Sequence, residues 1–122
     1  MGRRARKRSR DAAEPQAATG STTDHPVGDD GSVTLRDELS AGTLRKLADL
    51  DARPAANAED RWQRRVEFLF ERMVVRWEIA GLPLEGQQEL LGRFRLASAE
   101  ERAAVARVLE EHLRGRHPHA AP

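Results

Sequence analysis

Few side chains in this chain could do chemistry, and their spacing is loose. Four histidines are present: His25 in "STTDH", His112 in "VARVLEEHLR", and His117 and His119 in "HPH". Ser and Thr beside His and Asp are the materials of nucleophilic catalysis, but that chemistry needs the groups held in fixed geometry. "STTDH" falls in a stretch where no such scaffold is expected. His112 sits near the apolar side of a helical pattern close to its C-terminus. It could serve as a ligand or proton carrier, but reads better as a boundary residue whose protonated form the helix dipole favours. "HPH" supplies two ligands where a closed structural zinc site needs four. Glu67, Glu71 and Glu78 line one side of a helical pattern. A carboxylate metal site would need Glu-x-x-His pairs, and position 109, three before His112, is Leu. A solvated strip paired with nearby arginines is the simpler reading. With no Cys, disulfides, thiolate ligands and Cys nucleophiles are excluded. No Gly-rich phosphate loop follows a strand pattern. An enzyme is not expected, nor is a cofactor or metal.

One cluster has a generic activity. Arg3, Arg4, Arg6, Lys7, Arg8 and Arg10 crowd the first ten residues and could neutralise several phosphates, giving salt-sensitive binding to nucleic acid without sequence readout. The alternative is a solubilising start in an Arg-rich composition of the kind a GC-rich bacterial genome produces. The net charge of +1 gives the whole chain no pull toward nucleic acid or membrane. No apolar run is long enough for a membrane span, and the basic start is followed by polar residues rather than a signal-peptide core. The expectation is a cytoplasmic protein.

The elements that must position these residues read as helices. Residues 1–32 lack Leu, Ile, Phe and Trp and are expected to be a disordered arm, basic and then acidic, closed by the turn "VGDDG". Residues 33–115 read as an all-α domain, a small bundle of three to four helices, and 116–122 as a disordered tail. Ser40 is available as an N-cap, with a break near 40–43. Asn57 caps a long helix to Ala80, ended by Gly81 with Leu82 against Trp77 in a Schellman contact, and by Pro83. "LEGQQELLGRFRL" is a third helix. "SAEE" is a capping box, Ser98 with Glu101, opening a fourth that Gly115 ends.

On the 58–80 helix, Trp62, Val66, Leu69, Phe70, Met73, Trp77 and Ala80 form one broad face, expected to be the core. Phe68, Val75 and Ile79 form a second apolar line between acidic and basic strips. Two lines imply contact from both sides. The first helical region, "TLRDELSAGTLRKLADLDA" at 34–52, is expected to cover the second line within the chain; the alternative is that Phe68, Val75 and Ile79 form a protein interface, with a second copy or another protein. The function expected from all this is a non-catalytic protein-interaction module. The alternative is an accessory nucleic-acid binder acting through the basic arm.

Overall fold

A computed structural model describes residues 20–122. The basic arm residues Arg3, Arg4, Arg6, Lys7, Arg8 and Arg10 lie outside the described residues. The fold is mixed α/β, which overturns the all-α bundle. Strands β1 (Thr22–Val27) and β2 (Gly31–Arg36) form a hairpin. Helices α1 (Ala41–Ala52) and α2 (Ala58–Met73) follow, then strands β3 (Val74–Ile79) and β4 (Leu82–Leu84). Helices α3 (Gln87–Leu96) and α4 (Ala99–Arg114) complete the body, and a 3-10 turn spans Pro118–Ala120. The four strands make one antiparallel sheet in the order β1-β2-β3-β4.

The strands form where the sequence alternates. In β2, Val33 and Leu35 are buried while Ser32, Thr34 and Arg36 are partly exposed. In β1, Thr23, His25 and Val27 turn toward the helices while Thr22, Asp24 and Pro26 are exposed. That inner row contains Thr and His, so its period of two is invisible to a search for apolar alternation. Thus Thr22–Val27 is an edge strand and not part of a disordered arm. The "VGDDG" turn forms as expected, with Gly28 at φ 68°.

The helix expected to reach Ala80 stops at Met73. Trp77 meets the spacing of a helical core residue, four beyond Met73, but also that of a strand. The β-branched run Val74-Val75 and Ile79 favours the strand, and β2 supplies the partner. Val33 pairs with Trp77 and Thr34 with Arg76, after which the register shifts so that Leu35 pairs with Val74. Val75 is therefore the extra residue of a β-bulge. The chain then reverses through Ala80-Gly81, with φ of 52° and 81°. Ile79 pairs with Leu82 across this two-residue turn, a type I′ hairpin. No Schellman contact forms; Leu82 is 74% exposed and Trp77 pairs with Leu84 instead.

Other local signals hold. Ser40 accepts from the Thr43 amide and starts α1 at Ala41. Asn57 caps α2 through the Asp60 amide. Ser98 and Glu101 form the reciprocal capping box of α4. The C-terminal residues fold back on the body: Ala120 is buried, and Arg65 donates to the Ala120 and Ala121 carbonyls at 2.9 and 3.1 Å.

The core lies between the inner sheet face and the helices. Trp77 is 2% exposed and meets Phe70 of α2 edge-on, with centroids 5.8 Å apart. Phe70 stacks on Phe94 of α3 at 4.4 Å. Leu69, Met73, Leu109 and Leu113 close around them. Trp62, expected in this core, is 38% exposed instead. It shares the α2 face with Val66 and Met73 but stands near the start of the helix, where Ala99 and Ala103 are the side chains opposite and the groove between is left open.

Two stability predictions follow from this packing. Trp77→Ala should cost about 3–5 kcal/mol in chemical denaturation, as for a fully buried aromatic, and Trp62→Ala about 1 kcal/mol. Ala80 is exposed with a left-handed backbone, which Asn tolerates better. Ala80→Asn should therefore raise stability by roughly 0.5–1 kcal/mol in the same assay.

Candidate binding grooves and a buried histidine pair

Three places gather functional side chains. The first is an open groove of about 660 Å³ between the start of α1, the β3 bulge and the start of α3. Leu39, Val75 and Leu90 give it apolar wall, and Arg36, Glu38, Glu71 and Arg72 give it charge of both signs. Arg72 lies over the Phe68 ring, 5.0 Å from its centroid. Its Nε is buried without a hydrogen-bond partner among the described residues. Of the expected interface residues, Val75 thus lines this groove, while Phe68 and Ile79 pack partly buried against the core. The three are not one line on one helix, because Val75 and Ile79 belong to β3.

The second groove, about 460 Å³, is more apolar. One face of α2 walls it, with Glu59, Trp62, Gln63, Val66 and Glu67 at helical spacing. That face is about 12 Å long at 1.5 Å per residue. Opposite stands the start of α4, with Ala99, Arg102 and Ala103, and Phe94 contributes from α3. The groove stays open because α4 presents two alanines where larger side chains would fill the space. Its polar groups are largely paired within the chain. Arg95 holds Glu67 through two bonds of 2.8 and 3.2 Å, Gln63 donates to Glu59, and Arg102 donates to the Ala97 carbonyl. Glu67 is thus bridged to another helix rather than forming part of a carboxylate strip.

The third place is built on histidine. His25 Nε2 lies 2.9 Å from His112 Nδ1, with the rings perpendicular. His112 Nε2 lies 2.9 Å from the Arg36 carbonyl and 3.6 Å from Asp37 Oδ1. Asp37 accepts from Ser21 and Thr23 at 2.6 and 2.5 Å and pairs with Arg116 at 3.4 Å. His117 Nε2 stands 3.4 Å from both the Leu39 amide and the Glu38 carboxylate. His112 is therefore no boundary residue; it is buried at the last turn of α4. Sequence reasoning missed this cluster because His25 was assigned to an arm. The signal that could have found it is the alternation Thr23, His25, Val27 once β1 is taken as a strand.

The cluster is closed. Neither groove contains one of its histidines, and its hydroxyls are spent on Asp37. Among the described residues, no group of three or more His, Asp or Glu side chains is placed to hold a metal ion. Nor is any described helix long and apolar enough to cross a membrane.

Burial pushes the His112 imidazole below its ordinary range; the Arg36 carbonyl opposes this, Arg116 and His25 add to it, and Asp37 opposes it. Asp37 is held below the usual carboxylate range, chiefly by the Ser21 and Thr23 hydroxyls, with Arg116 and His112 assisting. Both groups bind protons more readily unfolded than folded. Each contribution to stability is complete above the unfolded value and lost as pH falls through the lower folded one. The thermal midpoint should hardly change above pH ~6.5, fall as pH drops below it, and fall again below about 4. Asp37→Asn should keep the first decline and lose its share of the second, which melts from pH 3 to 8 will show.

No protein-family model matches the chain, and neither curated proteins nor solved structures give a match.

Proposed function

We propose that the chain is a non-catalytic, cytoplasmic protein-interaction module that receives a helix of a partner protein in the groove between α2 and α4. The observation that carries this reading is Trp62. A large aromatic on a helix beside a small-residue wall is left 38% exposed, although the same helix buries Val66, Leu69, Phe70 and Met73. Aromatic side chains at the centre of a concave apolar patch are the usual anchors of protein interfaces. The shape suits a helix: two helical walls, an apolar floor and a length of about two turns match the groove that an amphipathic helix fills. The paired Glu67 and Arg95 at the rim offer hydrogen-bond partners of both signs while leaving no isolated buried charge to be desolvated. The partner's chemistry follows: an amphipathic helix with one or two large apolar anchors, flanked by polar residues of mixed charge. The absence of Cys suits a reducing compartment, which supports the cytoplasmic placement.

The test places a photo-reactive benzoylphenylalanine at Ala103 in the full chain, in the native host, with exposed Lys46 of α1 as the control position. A single crosslinked protein is expected from position 103 and none from position 46, and Trp62→Glu should abolish it while far-UV circular dichroism shows the fold retained. Absence of an adduct, or equal adducts at both positions, would remove the groove from consideration. An adduct between two copies of the chain would overturn the partner and assign the groove to self-association.

A further inference from the structure

Strand β1 is fastened to the body in two ways. Its ladder with β2 runs from Thr22 opposite Arg36 to Val27 opposite Gly31. The Asp37 amide bonds the Ser21 carbonyl at 3.0 Å, so residues 21, 23, 25 and 27 face β2 with their backbone groups. Thr22, Asp24 and Pro26 turn theirs to the free edge of the sheet. On the inner face β1 meets α4, and the direct polar link there is His25 to His112.

The direction of that link is fixed from its far end. The Arg36 carbonyl can only accept, so His112 Nε2 carries a hydrogen. In neutral His112 the Nδ1 is then a lone pair, and His25 Nε2 must donate to it. The chain of donors runs from His25 to His112 to the Arg36 carbonyl. A proton added to His25 lands on its Nδ1, away from this bond, and leaves the bond in place. A proton added to His112 has only Nδ1 to occupy. With His25 also charged, two N–H groups then face each other at a separation of 2.9 Å. The groups around His112 do not offset this. Asp37, after β2, lies 3.6 Å away but is already committed to Ser21, Thr23 and Arg116. Arg116, beyond α4, adds a like charge, and the His117–Glu38 pair is turned to the neighbouring loop. The His112 side chain is fully buried, so bulk solvent does not stabilise the added charge.

We propose that His25 and His112 form a proton-operated clasp: it holds edge strand β1 on α4 while at most one imidazole of the pair is charged, and releases the strand when both are. Release makes β2 the sheet edge and exposes the Val33 and Leu35 side of the core. The clasp is a property of β1, separate from the groove at the start of α4, and stands whether or not that groove binds a helix.

Amide hydrogen exchange followed by NMR tests this on the full chain. Between pH 7.5 and 5.0, corrected for intrinsic rates, protection at the Thr23, His25, Val33 and Leu35 amides should fall at least about tenfold. The Thr34 amide, which faces β3, and the α2 amides should keep theirs. His25→Gln is the deciding variant. Its amide can donate to the neutral ring and, turned over, accept from the charged one, so the loss of protection in β1 should be clearly smaller than in the parent, by about threefold or more. Retained protection in the parent, equal loss across all elements, or the same loss in His25→Gln would each overturn the clasp.

Discussion

The contact between Trp77 and Phe70 sets the rest of the architecture. Trp77 belongs to a strand and Phe70 to a helix, and only six residues of one backbone lie between them. For both rings to meet, the chain must change from helix to strand at Met73–Val74 with no connecting loop. The bulge at Val75 accommodates that change, letting Val74 and Trp77 both face inward although they are three residues apart. Phe94 then stacks on Phe70, and Arg93 lies over the Trp77 ring at 5.2 Å, so α3 is located by the same aromatic group. Burying one such ring contributes about 3 kcal/mol or more, a large part of the net stability of a domain this size.

Legibility from the sequence divided along physical lines. Signals that act within one turn of the chain were readable: Ser40, Asn57 and the Ser98–Glu101 box satisfy amides three residues away, and nothing distant can compete for them. Signals that need a partner were not. "VVRWEI" satisfies helical and strand spacing alike, and what decides it is β2, some forty residues earlier, whose own alternation is short and half polar. Ala80-Gly81 is consistent with both a helix end and a hairpin turn, since each places a glycine at positive φ. The error at Val74 then propagated. It put Ala80 in the core and strung Phe68, Val75 and Ile79 into a stripe that does not exist. His25 was hidden for a related reason: an inward-facing histidine on an edge strand looks like loop composition until its partner is known.

The polar devices on β1 all concern an exposed sheet edge. Pro26 stands at an edge-facing position and removes one of its donors, and Asp24 adds charge there. Thr34 donates to Asp24 at 2.6 Å on the outer face. On the inner face, apolar packing is confined to Val27 at the end of the strand, because His25 and Thr23 occupy the other positions. An edge strand with so little apolar burial depends on hydrogen bonds for its attachment, and those bonds respond to protons where an aliphatic contact would not.

Helix α4 carries both the groove and the clasp, at opposite ends. Ala99 and Ala103 lie in its first two turns, and His112 is on its last. Nine residues separate Ala103 from His112, about 14 Å along the axis. Between them Val105, Ala106 and Leu109 are buried, and Leu113 lies beyond. Those anchors hold the helix by its middle, so losing one hydrogen bond at the end does not by itself move the first turn. Coupling between the sites would require α4 to shift as a body, with its buried side chains taking a second packing arrangement. The close packing of Leu109 and Leu113 in the core makes such an arrangement costly. The physical expectation is therefore that the proposed helix groove at one end of α4 and the proposed strand clasp at the other act nearly independently.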